Sequence, residues 1–291
     1  MYKVYQKTKL SEKLMSVCIH NCKIYVGGTN KTLYEYDFNL QKRKELFKFN
    51  KSIRDISQNQ DLLAAVSYDG TGAVFKNGKL FDNIEGPETE VKSVAFCDDN
   101  SCIALSTRGK QVWILSIEDI IEVDSILEEH TADVKGVKFY DERLFSYGYD
   151  NSIKMYEKAM YGDENYELIQ NITDHSSTVW SLLLVEDKMF SCDHDGNIFR
   201  YKMNSNEFYD FDTSFKASLY PIYKIIQVGE NLLAYICNKF TISIIDFDGN
   251  FVVNISDIHD EDINCLDYDS KNKILISCGD DGFINLIKLE I

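Results

Sequence analysis

The sequence predicts an all-β fold, a seven-bladed β-propeller formed by residues 1–291 as a single domain. Three observations predict it: a repeat of about 42 residues, alternating apolar runs divided by tight-turn residues, and an apolar pair in step with the turns. The turn positions are Asn30, Asp69, Gly109, Asp150, Asp195, Lys239 and Asp281, separated by 39 to 45 residues. The apolar pairs, three residues apart, are Leu14/Val17, Ile53/Ile56, Val91/Val94, Val134/Val137, Val179/Leu182, Ile222/Ile225 and Ile263/Leu266. Each unit holds short alternating runs separated by Asp-Gly, Asn-Lys or Asp-Asn, which is hairpin chemistry. Roughly forty residues with about four short strands is one propeller blade. Seven such blades close a ring and leave no sheet edge to pair with other chains. The seventh unit lacks its last strand, and a strand-like run precedes the first. Residues 2–6 are therefore expected to complete blade seven and fasten the ring.

Composition narrows the function. The apolar fraction is 44%, enough for a real core, and Pro-rich ligand segments are excluded by a count of 2 Pro. With 31 basic and 47 acidic residues the net charge is −16, which repels phosphate backbones and anionic lipid. Neither nucleic acid nor a membrane is expected as a partner. No run approaches the ~18 apolar residues of a membrane span, and the start carries no signal-like apolar stretch. The expected location is the cytosol, with the cysteines reduced. The 8 cysteines are irregularly spaced, Cys18 and Cys22 four apart and Cys97 and Cys102 five apart, with no C-x-x-C. They read as small buried side chains, and neither a metal nor a cofactor is expected.

Three units carry Ser, His and Asp in matching places: His130/Ser146/Asp150, His175/Ser191/Asp195 and His259/Ser277/Asp281. One such trio would suggest a hydrolase. Three copies on the repeat period point elsewhere, because a nucleophile and its oxyanion hole are needed once. The expected role is structural: each His enters a blade and hydrogen-bonds the Asp of that blade's turn, and the Ser hydroxyl joins them. Phosphate-cradling Gly loops and H-E-x-x-H are absent from the sequence. No catalytic residue is expected, and the chain reads as a binding platform.

Several stretches resemble one family of WD-repeat proteins. Glu85-Gly-Pro-Glu-Thr-Glu-Val-Lys-Ser-Val-Ala-Phe96 and Ser106-Thr-Arg108-Gly-Lys110-Gln-Val-Trp113 resemble blade three of the WD-repeat subunit of the cytosolic iron–sulfur protein assembly (CIA) machinery. Glu129-His-Thr-Ala-Asp-Val-Lys135 and Asp174-His-Ser-Ser-Thr-Val-Trp-Ser-Leu182 resemble its blades four and five. Asp262-Ile-Asn-Cys-Leu266 with Ser277-Cys-Gly-Asp-Asp-Gly282 resembles its blade seven. Tyr156 and Tyr201 stand where the standard WD repeat carries Trp.

The resemblance implies a non-enzymatic docking subunit of the CIA targeting complex. Its partners would be a small adaptor subunit, a large helical-repeat subunit and iron–sulfur apoproteins in the cytosol, with the nucleus as a second compartment. The subunit itself would hold no cluster. The resemblance also implies a functional Arg on the top face of blade three, matched here by Arg108. Arg108 precedes a turn, as Tyr68 and Tyr149 do in the flanking blades, so the three are expected as neighbours on a partner-binding rim. Thr29, His194, Asn238 and Asp280 hold the same place elsewhere.

There are departures. Gly109 replaces the family's turn Asp, and Pro87 takes the place of the entering His, so a looser rim is expected at blade three. Where some members carry Leu-Tyr-Arg, a cochaperone signal, Met155-Tyr156-Glu157 reverses the charge and argues against that contact. The acidic run from Glu118 to Glu129 is expected as a solvated hairpin between blades three and four. The alternative reading is another WD-repeat scaffold, such as a ubiquitin-ligase receptor or a coat component.

Overall fold

The structure is a computed structural model that describes residues 2–159, 166–238 and 240–290. Among these, 28 strands and no helix occur, and the strands form seven four-stranded antiparallel sheets. The turn position Lys239 lies outside the described residues. Blade two runs through Ile53–Asn59, Leu62–Ser67, Thr71–Lys76 and Lys79–Glu85. Blade three is Val91–Phe96, Cys102–Thr107, Val112–Ile117 and Ile121–Leu127. Blade four is Val134–Tyr140, Arg143–Gly148, Ile153–Lys158 and Tyr166–Ile172.

All fourteen members of the seven apolar pairs are buried. Their spacing has a physical cause. A regular strand puts residues i and i+2 on one face, so i and i+3 cannot both point inward. One extra residue, a β-bulge, corrects the phase. The register slips at that place in five first strands: Leu14/Ser16, Ile53/Asp55, Val91/Ser93, Val134/Gly136 and Ile263/Cys265. The bulge also frees side chains to tie blades together. Asp55 accepts the Val94 N–H at 3.1 Å and the Ser93 hydroxyl at 2.7 Å. Ser181 of blade five makes a matching tie, accepting the Ile225 N–H at 3.2 Å.

The turn anchors share one conformation. The residue after each described anchor has positive φ: Lys31, Gly70, Lys110, Asn151, Gly196 and Gly282. At Gly70 the φ is +90°, and a Cβ would lie 2.3 Å from the Pro87 carbonyl oxygen. Glycine is therefore required there twice over, by conformation and by space. The anchor side chain then accepts the N–H two residues on, as Asp69 does from Thr71 at 3.0 Å and Asp281 does from Phe283 at 2.9 Å. Blade five departs from this: the buried Asp193, two residues before the exposed Asp195, accepts the Asn197 N–H at 2.8 Å.

The chain divides into two compact units, Phe49–Val179 with blades two to four, and Met1–Lys48 with Trp180–Ile291. In the second unit the N-terminal strand Tyr2–Lys9 pairs antiparallel with Phe283–Leu289, so it supplies the fourth strand of blade seven. It runs three residues beyond the Tyr2-to-Gln6 stretch expected from the sequence, because pairing continues to Lys9 opposite Phe283. Lys7 anchors it, donating to the Ile258 carbonyl at 3.1 Å with its ammonium 3.6 Å from the Phe283 ring centre.

The acidic run corrects another expectation. Only its start is hairpin; Ile121–Leu127 is the outer strand of blade three, with all six acids exposed. Alternation sets Leu127 inward and leaves the acids in water. Seven cysteines are buried and Cys22 is exposed.

Candidate functional site

The pre-turn residues are placed by one recurring backbone bond. Tyr68 N–H donates to the Ser52 carbonyl at 3.0 Å, Arg108 to Glu90 at 2.9 Å and Tyr149 to Asp133 at 3.0 Å. Each acceptor lies just before the first strand of the same blade. The three side chains therefore emerge at one end of blades two, three and four.

Four residues that the sequence reading passed over connect them: Arg54, Glu90, Lys92 and Asp133. Glu90 Oε1 lies 3.4 Å from Arg108 Nη1. Lys92, in the bulge of blade three, reaches blade four, where its ammonium meets Asp133 Oδ2 at 2.6 Å and sits 4.6 Å from the Tyr149 ring centre. The Lys92 side chain is only 9% exposed, so this pair and the cation–π contact form in a poorly hydrated place. Burial raises the Tyr149 pKa, and Tyr68, Asp133 and Glu90 add to the rise while Arg54 opposes it. These residues thus share one electrostatic neighbourhood. The signal for Arg54 and Lys92 was available in the repeat: each follows the first member of its blade's apolar pair, as Lys135 does in blade four.

Arg108 differs from its neighbours in exposure. Its side chain is 62% exposed, and Glu90 engages one end of the guanidinium. The remaining donors face solvent in a fork suited to a carboxylate. The turn beneath it lacks the Asp. Thr107 substitutes: its hydroxyl donates to the Gln111 carbonyl at 2.9 Å and accepts the Gln111 N–H at 3.3 Å. Gln111 Oε1 in turn accepts from the Trp113 indole at 3.1 Å.

In the other unit, the same two kinds of position carry Trp180, His194 and Tyr223. The Trp180 ring lies 4.9 Å from Tyr223, edge to face, and 6.2 Å from His194. At blade seven, Asp280 pairs with Lys13 and accepts from Asn264 Nδ2 at 2.7 Å.

The His–Ser–Asp groups form as continuous chains in blades four and seven. His130 Nδ1 is 2.8 Å from Asp150 and its Nε2 is 2.6 Å from Ser146 Oγ, with the Tyr156 hydroxyl 3.4 Å beyond. His259 Nδ1 is 3.0 Å from Asp281 and its Nε2 is 2.8 Å from Ser277 Oγ. Asn285 Nδ2 also reaches that Nε2, at 2.9 Å. The bonding order Asp–Nδ1, Nε2–Ser is that of a hydrolytic triad. Ser146 and Ser277 are fully buried, however, so no substrate carbonyl can reach either hydroxyl. Burial pushes Asp150 and Asp281 up, but the bonds they accept, from His130, Ser152 and Thr131 and from Phe283, Asp260 and His259, outweigh it and hold both low. Burial pulls His259 below its ordinary 6.5 against the pull of Asp281. His175 lies in one compact unit and Ser191 and Asp195 in the other; His175 and Ser191 are buried. At Met155-Tyr156-Glu157, Tyr156 is fully buried and Glu157 meets Arg143 at 3.1 Å.

Among the described residues, no group of three or more His, Cys, Asp and Glu side chains is arranged to hold a metal ion. Sheets and turns together define the class of fold: the chain is a seven-bladed β-propeller. Residues 245–288 match the family model described as "WD domain, G-beta repeat". The WD40 β-propeller domain of Doa1, known as a crystal structure, is similar with a TM-score of 0.84 over 99% of this chain and 97% of that one. Its sequence identity is 16%, so the likeness is one of fold. Within the class, the chain is similar to two proteins each named "Probable cytosolic iron-sulfur protein assembly protein 1". One, from Chaetomium globosum, is 30% identical over 34% of this chain and 27% of its own length. The other, from Neurospora crassa, is 27% identical over 34% of this chain and 28% of its own length. The match thus spans little more than a quarter of either curated relative.

Proposed function

We propose that the chain is a non-catalytic docking platform of cytosolic iron–sulfur protein assembly, acting as one domain of residues 1–291. In this role it helps deliver iron–sulfur clusters to cytosolic and nuclear apoproteins, and it works in the cytosol beside a small adaptor and a large helical-repeat subunit. The cluster is cargo, and the chain uses no cofactor. The observation that carries the reading is the similarity to two relatives that share one assembly-protein name. The rim of blades two to four supports it chemically. Arg108 offers a solvent-facing guanidinium on a chain of net charge −16, and Tyr68 and Tyr149 flank it. Lys92 and Asp133 hold Tyr149 in place. Exposed Arg beside half-buried Tyr is the composition of a binding hot spot, and a partner carboxylate is its natural complement.

The test is recovery of bound partners on the tagged chain, unmutated and as Arg108→Glu. Expected are the small adaptor and iron–sulfur client enzymes, with clients falling about tenfold or more in the mutant, as loss of a ~1.4 kcal/mol contact requires. Adaptor present with clients unchanged would reject Arg108 as the reader. Recovery of a ubiquitin-ligase or coat assembly would reject the iron–sulfur role.

A further inference from the structure

At the opposite end of blade three from Arg108, two cysteines face each other across a hairpin. Phe96 pairs with Ile103, so Cys97 and Cys102 are the next residues to meet. The Cys97 N–H donates to the Cys102 carbonyl at 3.1 Å, and the Cys102 N–H donates to the Cys97 sulfur at 2.9 Å. Residues opposed across antiparallel strands have Cα atoms about 4.5–5.5 Å apart, within the ~4.4–6.8 Å that a disulfide spans. Each cysteine is 7% exposed, but the turn that joins them places Asp98, Asp99 and Ser101 in water. The sulfurs therefore lie directly beneath a hydrated hairpin tip.

The two sulfurs differ in their surroundings. Cys97 Sγ is 3.1 Å from Asp99 Oδ1 and 3.5 Å from Ser101 Oγ. The neighbouring Cys102 side chain, helped by Ser101 and the Cys102 N–H, outweighs burial and Asp99 and brings Cys97 down to about 7. The Cys97 side chain, then burial and the charge of Cys97, push Cys102 far up. Its sulfur is 3.9 Å from the Tyr166 hydroxyl. Cys97 is thus the more acidic thiol and Cys102 the less acidic, the order required of an attacking and a resolving thiol.

We propose that Cys97 and Cys102 are a reversible dithiol–disulfide pair, oxidised by hydroperoxides. The Cys97 thiolate attacks one peroxide oxygen, the O–O bond breaks, and hydroxide leaves and is protonated to water. Cys97 is then a sulfenic acid, and the peroxide has been reduced by two electrons. The Cys102 sulfur attacks Cys97 Sγ and gives up its proton; the S–O bond breaks and a second water leaves as the S–S bond forms. Two thiols and one hydrogen peroxide thus yield one disulfide and two waters. A dithiol reductant reverses it by exchange. The strand Cys102–Thr107, roughly 20 Å long at ~3.3 Å per residue, separates the pair from Arg108. The pair therefore stands independently of the docking role.

The exposed Cys22 serves as internal reference. The full-length protein is reduced, desalted, titrated with hydrogen peroxide, unfolded in alkylating agent and analysed by peptide mass. Expected is loss of two hydrogens from the peptide holding Cys97 and Cys102 before Cys22 is half oxidised, restored by dithiothreitol. In Cys102→Ser, dimedone should label Cys97; in Cys97→Ser, Cys102 should stay reduced. Both thiols still free once Cys22 is fully oxidised would overturn the proposal, as would dimedone labelling of Cys97 without disulfide in the unmutated chain. Should a variant fail to fold, the unmutated chain decides.

Discussion

At Asp150 four donors converge on one carboxylate: the His130 ring, the Thr131 N–H, and the N–H and hydroxyl of Ser152. The group is desolvated, so each bond is made in a low dielectric and leaves an expensive orphan if removed. Asp150→Ala should cost about 3 kcal/mol and lower the Tm by roughly 5 °C or more in calorimetry. Arg108 is the contrast. It is exposed and meets a partly exposed Glu90, so Arg108→Glu should change stability by about 0.5 kcal/mol or less. A denaturant midpoint close to that of the unmutated chain would show that client loss in this mutant reflects binding. The His–Asp pairs of blades four and seven were legible from their repeated spacing. The Lys92 bridge to Asp133 was not, because it joins residues 41 apart across two blades and follows from how those blades pack. Asp193 escaped for a different reason: three residues of blade five contain two acids, and sequence alone does not say which one faces the turn.

The inner strands show how an element can encode its own irregularity. An apolar pair three residues apart violates strand alternation, and the bulge restores it. Asp55, next to the bulge of blade two, then caps the Val94 N–H of the next blade's first strand, and Ser181 does the same for the Ile225 N–H. The strand Tyr2–Lys9 acts differently. Its side chains are mostly exposed, so its contribution is the ladder with Phe283–Leu289 and the Lys7 contacts. Removing residues 2–9 leaves that partner as an open, largely buried-type edge. The expected result is a lower urea midpoint, with association visible in light scattering as the edge finds other chains. A truncated protein with unchanged midpoint that stays monodisperse would show that the ladder is dispensable.

Over the whole molecule most carboxylates with a clear shift lie low, while burial raises Asp267. Asp150, Asp281 and Asp69 have pKa values below the ordinary 3.8, and His259 lies below 6.5. Each binds fewer protons folded than unfolded, so acid favours the unfolded chain. Stability should begin to fall below about pH 6.5, where an unfolded His259 takes its proton. It should fall further below about pH 4, as the unfolded carboxylates do the same. Relief of self-repulsion among 47 acids and 31 bases acts the other way. Beyond about 8 Å, though, that repulsion is screened at physiological ionic strength. A Tm series from pH 7 to 3 should therefore decline throughout, and His259→Gln should flatten its upper part. A Tm that rises from pH 7 to 5 would contradict the assignment.

The sequence by itself determined the number and phase of the blades, the apolar pairs, the tight turns and the His–Asp pairs of blades four and seven. These are local features, written once in every unit of about 42 residues, and seven copies make the pattern outweigh the worn ones. Only the tertiary structure decided which residues meet across blades, Lys92 with Asp133 and Tyr149 and Asp55 with Val94, and how far the expected N-terminal strand of blade seven runs, to Lys9 opposite Phe283. It also decided that Cys97 and Cys102, unremarkable at five apart, oppose each other in one hairpin. Such contacts depend on twist, bulge and packing between sheets, and those follow from the whole set of buried side chains rather than from any stretch a reader can align.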